Sequence, residues 1–431
     1  MIASCLKINE KGHLEISGCD TVQLAEQYGT PLYVMSEDEI RSTCRRYVAS
    51  FAKNYNGHGK PIYASKAFSC KEIYRIVLSE GLDVEVVSGG ELYTALQAGV
   101  PGEQIHFQGN NKSTGELTMA LENNVGDIVV DNLSELKKLN AAAEEHNVVA
   151  PISFRIKPGI DAHTHEFIRT GQVDSKFGLD LANGEAMEAL RQAKEMDHIS
   201  VKGLHCHIGS QILEKAPFVH AAEVMLQFFA TVRDQLGMTF ETLNLGGGFG
   251  IHYTQQDDAI PYEEYMEAVS TMVHDKCREL GLELPKIYIE PGRSIVGEAG
   301  ITLYTVGNIK EIPGVRNYVA IDGGMFDNPR YALYQSAYTC LIANKADQPA
   351  AYTATIAGKC CESGDLIQEH TPIQKPEEGD ILAVLSTGAY NYSMASNYNR
   401  NLKPACVMVS QGKSRIVIKG ETYEDLVRND V

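Results

Sequence analysis

Short β-branched runs alternate with longer amphipathic segments along the chain up to residue 293. Buried strands are expected where such runs are bounded by turn residues, and helices where apolar residues recur at helical spacing. Helical spacing follows several of the runs, for example in the stretch 217–236. Eight strand–helix units favour a parallel (β/α)8 TIM-type barrel in the α/β class, with a doubly wound sheet as the alternative. The eight predicted strands are residues 61–68, 83–88, 104–110, 127–132, 151–158, 201–210, 242–250 and 286–293.

The pattern changes after residue 293, where alternating β-branched runs are separated by turns and no helix of comparable length is indicated. These predicted strands are residues 301–312, 317–324, 351–358, 380–386 and 415–420. This predicts a C-terminal all-β domain, a β-barrel or sandwich. Residues 6–18 predict a hairpin with its turn at Glu10 to Gly12, and we expect it to pair with the C-terminal sheet. The predicted domains are therefore a barrel at 25–280 and a discontinuous β domain at 1–24 and 281–431.

The 431 residues include 38 Lys and Arg and 56 Asp and Glu, which gives a formal net charge of −18. A chain this acidic repels nucleic-acid phosphates and anionic membrane surfaces. It has no apolar run of about 18 residues, and its first residues lack the basic and apolar regions of a secretory leader. We therefore expect a cytoplasmic protein that binds neither nucleic acid nor membrane.

Ten cysteines are scattered along the chain without a CxxC pair or a metal-finger spacing. This spacing predicts no metal site. In a reducing compartment most cysteines are small buried hydrophobic residues. The adjacent Cys360 and Cys361 are the two cysteines for which a functional role is considered beside this structural one.

Polar residues and glycines stand where several of the predicted barrel strands end. The carboxyl ends of the strands form the catalytic face of a TIM-type barrel. Each residue alone is more typical of a solvated charge, a core histidine or a tight turn. Their coincidence at one end of the barrel indicates a functional site. The residues are Lys66, His207, Ser210, Gly246 to Gly248, Glu290 and Arg293.

These residue types together suit a phosphorylated cofactor. A glycine run that exposes backbone N–H groups, together with the hydroxyl of Ser210, forms an anion cradle. A lysine such as Lys66, if its pKa falls below about 10.4, can form a Schiff base. Glu290 can hold a proton on a ring nitrogen, and Arg293 offers a planar fork for a phosphate or carboxylate. Pyridoxal phosphate meets these requirements, whereas a dinucleotide fingerprint fits less well because GGGFG lacks the GxGxxG spacing.

Eight motifs extend this interpretation over essentially the whole chain: YASKAF, EVVSGGEL, HCHIGSQ, NLGGGFG, EPGR, NPRYALY, CESGD and GAYNYSMASNYN. In their order and spacing they resemble the alanine-racemase-fold, group IV pyridoxal-phosphate decarboxylases. CESGD combined with GAYNYSMASNYN is the specific part of the resemblance, whereas GGG and EPGR belong to the wider superfamily.

The resemblance implies a role for each matching residue. Lys66 would be the Schiff-base lysine, His207 would stack on the pyridine ring, and Glu290 would face the ring nitrogen. Cys361 would donate a proton across a homodimer interface, so that two copies of the chain share their active sites. The cofactor site implied in this way consists of Lys66, His207, Ser210, Gly248, Glu290, Pro291, Gly292, Arg293 and Tyr390. The implied substrate-binding residues are Arg293, Arg330, Tyr334, Glu362 and Tyr390.

Several features bear on the substrate. Arg293, Arg330 and Tyr334 together offer more positive charge and more hydrogen-bond donors than one carboxylate needs, which suits a small substrate with two carboxylates. Residues 161–171 with the following SKFG resemble the specificity loop of the family's diaminopimelate-specific members. The resemblance therefore implies decarboxylation of meso-2,6-diaminopimelate to L-lysine and CO2, the last step of lysine biosynthesis. Carboxynorspermidine, ornithine or arginine decarboxylation, alanine racemisation, and a non-enzymatic cofactor-binding or regulatory protein are the alternatives.

Two departures from the family pattern stand out. Lys66 is followed by Ala67 and Phe68, where the family usually has Ala-Asn, and RNLKPA at 400–405 replaces the usual Arg-Pro-Arg-Pro. Neither change falls on a residue that is assigned to chemistry.

Overall fold

A computed structural model describes residues 3–160 and 175–431 of the chain. The segment 161–171, which resembles a specificity loop, lies outside the described residues. The described chain forms two compact units. The barrel unit comprises the described parts of Thr43–Gly250 and Ala259–Gly292, and the β-rich unit comprises the described parts of Met1–Ser42, Ile251–Asp258 and Arg293–Val431.

The barrel unit contains the eight predicted strands, all in parallel register. They are β5 (Gly59–Ala64), β6 (Asp83–Val86), β7 (Ile105–Phe107), β8 (Asp127–Val130), β9 (Ala150–Lys157), β11 (Ile199–Cys206), β12 (Thr242–Asn244) and β13 (Lys286–Ile289), with the short β10 (Leu179–Asp180) beside β9. Pairing of β8 with β9 and of β13 with β5 closes the sheet. Every residue of β6, β7 and β8 is buried, as expected of parallel strands covered on both faces. The closed sheet confirms the TIM-type barrel and excludes the doubly wound alternative.

Helices connect successive barrel strands. The helix α3 buries the apolar face formed by Ile73, Tyr74, Ile76 and Val77. Ser113 and Glu116 form a capping box that satisfies backbone N–H groups where α5 begins. The helices are α3 (Lys71–Ser79), α4 (Gly89–Ala98), α5 (Thr114–Glu122), α6 (Leu133–Glu145), α7 (Glu185–Lys194), α8 (Ala216–Leu236) and α9 (Tyr262–Leu280); α1 (Thr21–Tyr28) and α2 (Glu37–Tyr55) precede β5.

The β-rich unit is built on a mixed nine-stranded sheet with the path β18-β17-β15-β14-β4-β20-β21, to which β19 and β16 are added beside β14. The strands after residue 293 confirm the predicted all-β region, although β16, β18 and β20 were not predicted. They are β14 (Gly300–Ile312), β15 (Arg316–Ile321), β16 (Cys340–Ile342), β17 (Tyr352–Ala357), β18 (Leu366–Ile373), β19 (Ile381–Val384), β20 (Ala405–Ser410) and β21 (Lys413–Ile418). The helices there are short: α10 (Arg293–Val296), α11 (Arg330–Tyr334), α12 (Asn391–Met394) and α13 (Tyr423–Val427).

The N-terminal hairpin forms, but its predicted pairing with the C-terminal sheet is wrong. β1 (Leu6–Ile8) pairs antiparallel with β2 (Leu14–Ile16), and β2 pairs with β3 (Cys19–Asp20) in a separate three-stranded sheet. The N-terminal strand that joins the large sheet is β4 (Leu32–Ser36), which lies between β14 and β20. All five residues of β4 are buried, which suits a central strand better than the half-exposed hairpin.

The two units differ from the predicted domain boundaries at three places, the first of which is Ile251–Asp258, a short segment that belongs to the β-rich unit. Residues 25–42 belong to the β-rich unit because β4 is one of its central strands, and residues 281–292 belong to the barrel unit because β13 closes the barrel. Within the described ranges, no helix combines the length and apolar character needed to cross a membrane.

Candidate active site

Lys66 stands at the carboxyl end of barrel strand β5, in the single helical turn Ser65–Ala67. Its Nζ donates a hydrogen bond to Oε1 of Glu85 on β6 at 3.2 Å. Burial and the negative charge of Glu290 raise the pKa of Glu85, and the positive charge of Lys66 lowers it. The net pKa is about 7. The other oxygen of Glu85, Oε2, is buried without a hydrogen-bond partner among the described residues. The lysine amine therefore lies beside a carboxyl group that can change its protonation near neutral pH.

Glu290 follows β13 and is surrounded by donors. Its Oε1 accepts hydrogen bonds from Nε2 of Gln108 and from Nδ2 of Asn244, the latter at 2.7 Å, and its Oε2 lies 3.2 Å from Nε2 of His205. Burial alone would raise the pKa of Glu290, but His205 and Lys66 lower it to about 2. We call Glu290, Gln108, His205 and Asn244 the Glu290 cluster. It keeps an ionised carboxylate inside the barrel, suited to a protonated ring nitrogen.

His207 follows β11 and is held by the glycine loop. Its Nδ1 accepts a hydrogen bond from the backbone N–H of Gly247 at 3.2 Å. Burial lowers the pKa of His207 well below its ordinary value, and the positive charges of Lys66 and Arg155 lower it further. The imidazole is therefore a neutral ring with a fixed orientation, as a stacking group requires.

The glycine loop after β12 leaves no room for side chains. Gly246 and Gly248 have φ of +69° and +111°, and a Cβ on Gly248 would lie 2.4 Å from the carbonyl oxygen of Gly209. The backbone N–H of Ile212 donates to the carbonyl oxygen of Gly248 at 2.9 Å, which joins this loop to the one that carries Ser210. Bare backbone beside a serine loop suits a phosphate group.

Pro291 and Gly292 tie the Glu290 strand to the Lys66 strand. The carbonyl oxygen of Pro291 accepts a hydrogen bond from the N–H of Ala64 at 3.1 Å. A Cβ on Gly292 would lie 2.8 Å from the carbonyl oxygen of Ala64. Close approach of the two strand ends therefore requires glycine at position 292.

Arg293 and Arg330 come together in the β-rich unit. Nη1 of Arg293 and Nη1 of Arg330 both donate to Oη of Tyr253, the second at 3.0 Å. Arg330 Nη1 also donates to Oη of Tyr338 at 2.9 Å. All four side chains are buried. This arginine cluster (Arg293, Arg330, Tyr253 and Tyr338) concentrates positive charge among phenol groups and suits an anionic ligand.

Tyr334 and Tyr390 lie beside the same arginines. The central guanidinium carbon of Arg330 is 5.9 Å from the ring centroid of Tyr334, and α11 places these two residues one helical turn apart. The guanidinium carbon of Arg293 is 4.8 Å from the ring centroid of Tyr390. Tyr390 has a φ of +68°, a strained conformation for a bulky residue and one often found at functional sites.

Cys361 and Glu362 are exposed in the single chain, whereas Cys360 is buried. The backbone N–H of Cys361 donates to Oδ1 of Asn399 at 2.7 Å, and Oε1 of Glu362 accepts from the N–H of Gly364 at 3.3 Å. Burial raises the pKa of Cys360 to about 12, so this thiol stays protonated. The exposed thiol and carboxylate are available to a second molecule.

Sequence reasoning missed the side chains that support the charged centres. His205 could have been found, because it stands two residues before His207 and successive odd positions of a strand share one face. Glu85 could have been found from its place on a strand next to the one that Lys66 follows. Gln108, Asn244 and Tyr253 carried no comparable signal, since only the folded chain brings them to their partners.

The barrel residues fit pyridoxal phosphate. The orphaned buried oxygen of Glu85 beside the Lys66 amine, the ionised carboxylate of Glu290 and the side-chain-free loop at Gly246 to Gly248 each match one part of that cofactor. The amine matches its aldehyde, the carboxylate its ring nitrogen and the loop its phosphate.

Known proteins are similar to this chain in sequence and in fold. A family model described as "Pyridoxal-dependent decarboxylase, pyridoxal binding domain" matches residues 37–297. The chain is 50% identical over 423 residues to the diaminopimelate decarboxylase of Bacillus subtilis (strain 168), covering 98% of this chain and 96% of the relative. It is 51% identical over 413 residues to the diaminopimelate decarboxylase of Bacillus methanolicus, covering 96% and 95%. A crystal structure of the diaminopimelate decarboxylase of M. jannaschii in co-complex with L-lysine superimposes with a TM-score of 0.93 at 37% identity, covering 99% and 98%.

Proposed function

Because the chain belongs to the pyridoxal-dependent decarboxylase family, with diaminopimelate decarboxylases as its relatives, we propose that it converts meso-2,6-diaminopimelate to L-lysine and CO2. This carboxy-lyase reaction would be the last step of lysine biosynthesis. The observation that carries the proposal is the ionised, triply hydrogen-bonded carboxylate of Glu290 in the same barrel as the Lys66 amine.

The cofactor would be held by residues at and beyond the carboxyl ends of the barrel strands. Lys66 would hold its aldehyde carbon, His207 would cover one ring face, and Glu290 would keep the ring nitrogen protonated. Ser210 and Gly248 would bind its phosphate. Pyridoxal phosphate supplies an electron sink for the pair of electrons left when the carbon–carboxylate bond breaks. The remaining proposed cofactor contacts are Pro291, Gly292, Arg293 and Tyr390.

The substrate would be recognised by charge. The guanidinium groups of Arg293 and Arg330 would bind substrate carboxylates and orient the bond that breaks. Glu362 would bind the distal ammonium group, and Tyr334 and Tyr390 would line the substrate. Support comes from the burial of both arginines, where a charged hydrogen bond is strongest.

Cys361 would return a proton to the α-carbon after CO2 has left. We propose that Cys361 and Glu362 act in the site of a second copy, so that the active form is a homodimer. The exposure of both residues in the single chain supports this arrangement. A dilution series that separates the copies would then abolish CO2 release, and activity that persisted in a stable monomer would contradict the shared site.

We also propose that the enzyme works in the cytoplasm. The ten cysteines form no disulfide within the described part of the chain, which suits a reducing compartment.

Substrate profiling with product identification tests the proposed reaction. CO2 release would be measured from meso-diaminopimelate, ornithine, arginine and carboxynorspermidine in parallel, and the amine product identified by mass spectrometry. We expect L-lysine from diaminopimelate and little turnover of the others. Faster turnover of another of these substrates would overturn the choice of substrate, and turnover of none would overturn the enzyme class.

A further inference from the structure

The hydroxyl oxygen of Tyr253 accepts hydrogen bonds from two arginines, and the proposed function gives Tyr253 no role. Arg293 and Arg330 both donate to Tyr253 Oη. Two like charges thus meet at one buried atom, where repulsion is screened less than in water. A shared acceptor between them offsets that repulsion, so Tyr253 links two groups that would otherwise separate.

Packing holds the Tyr253 ring in place. The guanidinium carbons of Arg293 and Arg330 lie 5.7 Å and 5.2 Å from its centroid, and the ring of Tyr338 packs edge-on at 5.5 Å. The carbonyl oxygen of Tyr253 also accepts a hydrogen bond from Thr339 Oγ1 at 3.0 Å. The hydroxyl therefore has a fixed position from which to set the spacing of the two guanidinium groups.

Charge around Tyr253 agrees with this geometry. Burial would raise the pKa of Tyr253, but Arg293 and Arg330 lower it, with a net pKa below the ordinary tyrosine value. Arg330 uses only Nη1 for its bonds to Tyr253 and Tyr338, and its Nε and Nη2 donate to no group within the described part of the chain. The Nε and Nη2 groups of Arg330 therefore remain as donors for a carboxylate.

We propose that Tyr253 is a positioning residue for substrate binding, whose oxygen holds Arg293 and Arg330 at one spacing so that they bind a carboxylate as a unit. This inference rests on the proposed function, in which both arginines bind carboxylates. The neutral phenol oxygen accepts hydrogen bonds from both guanidinium groups without cancelling their charge, so an arriving carboxylate can still pair with them. Ionisation of Tyr253 therefore competes with substrate binding.

Tyr253→Phe removes the shared oxygen and keeps the ring. We expect KM for meso-diaminopimelate to rise about tenfold, equivalent to about 1.4 kcal/mol, with kcat within about threefold of the native value. The matched control is Tyr338→Phe, which removes a hydrogen bond to Arg330 alone and should raise KM less. In the native protein KM should also rise at alkaline pH as Tyr253 ionises, and this rise should be absent from Tyr253→Phe. A KM effect no larger than that of the control, or an unchanged alkaline rise, would overturn the proposal.

A spectroscopic titration tests the same geometry without activity. The chain contains no Trp, so the near-ultraviolet tyrosinate band can be followed with pH in the cofactor-loaded protein. We expect one tyrosine to ionise below the ordinary pKa of about 10, and this step to be missing in Tyr253→Phe. Arg330→Gln, which keeps Tyr253, should move the step to higher pH and gives the same information if Tyr253→Phe does not fold. A step that survives in Tyr253→Phe, or does not move in Arg330→Gln, contradicts the inference.

The two proposals fail separately. If the chain released no CO2 from diaminopimelate but the tyrosinate step depended on Tyr253 and Arg330 as expected, the proposed reaction would be wrong and the positioning role would stand. If diaminopimelate were decarboxylated with a KM insensitive to Tyr253→Phe, the reaction would stand and the positioning role would be wrong.

Discussion

The Glu290 cluster of the barrel and the arginine cluster of the β-rich unit handle buried charge in opposite ways. Glu290 is an anion enclosed by three side-chain donors, and its pKa is about 2. Arg330 is a cation whose hydrogen-bond partners are the phenols of Tyr253 and Tyr338. Burying a charge is costly unless it is paired. Under the proposed function, the barrel residues bind a cofactor that remains in place, whereas the arginine cluster binds an anionic substrate that enters and leaves.

The largest expected effect is at Lys66. Lys66→Arg keeps the positive charge but removes the primary amine, so kcat should fall by more than about 10⁴-fold, as when a covalent catalytic group is lost. Lys60→Arg is a matched control, because Lys60 is 39% exposed and pairs with Asp83, whereas Lys66 is 40% exposed and pairs with Glu85. Steady-state CO2 release should be nearly normal in the control. Comparable losses in both variants would contradict the special role of Lys66.

Glu290→Gln tests the ionised carboxylate of the barrel. Removing one preorganised charge at the reacting group should lower kcat by roughly 10²-fold, and the visible absorption of the bound cofactor should change. Glu135→Gln removes a different buried carboxylate of the barrel, which pairs with Lys112 at 2.7 Å; it should lower the unfolding midpoint without the spectral change. An unaltered cofactor spectrum in Glu290→Gln would count against the proposed contact with the ring nitrogen.

Arg330→Lys tests the arginine cluster. Lysine keeps the charge but loses the planar fork, so KM for diaminopimelate should rise about tenfold, equivalent to about 1.4 kcal/mol, with a smaller change in kcat. Arg316→Lys in the same unit alters an arginine paired with Glu369 and should leave KM within about twofold, as expected for a pair at the surface. Equal KM values for the two variants would exclude Arg330 from substrate recognition.

The smallest expected effect concerns stability and the other end of the barrel strands. His106 on β7 lies between Asp127 at 3.5 Å and Asp83 at 3.8 Å, each the first residue of its strand. Burial lowers the pKa of His106, but the two carboxylates raise it to about 9, above its unfolded value near 6.5. The resulting stabilisation is complete below about pH 6.5 and is lost as pH rises through about 9.

Urea unfolding across that pH range measures this loss, which should be on the order of 1 kcal/mol. The His106→Gln variant should have a smaller unfolding free energy than the native protein at the lower pH, and that free energy should change less with pH. Its kcat should be close to the native value. A native protein whose unfolding free energy did not fall between these pH values would show that His106 gains no charge there. If the unfolding free energy falls as expected, the two ends of the barrel pair histidine with carboxylate for different purposes, the Glu290 end for function and the His106 end for stability.

Much of the fold could be predicted because parallel barrel strands are continuous buried runs. The runs at 83–88 and 127–132 contain β6 and β8, buried at every position. Period-two alternation shows that a strand has two different faces but not which strand it pairs with. The hairpin β1–β2 was therefore predicted but assigned to the wrong sheet. The strand β18 was missed because LIQEHTPI mixes apolar and polar residues.

The candidate site could be predicted where one strand end carries the chemistry, as at Lys66 and Glu290. Supporting side chains such as Gln108 and Asn244 come from different strands, and their meeting at Glu290 depends on barrel closure. The roles proposed for Cys361 and Glu362 involve a second copy of the chain, so a single sequence supplies them only through family resemblance.

Identification of the lysine that holds the cofactor tests the central claim most directly. The cofactor-loaded protein would be reduced with borohydride, digested and sequenced by mass spectrometry. A pyridoxyl label on Lys66 is the predicted result. A label confined to another lysine such as Lys60 or Lys112, or no label in a protein that still releases CO2, would contradict the account.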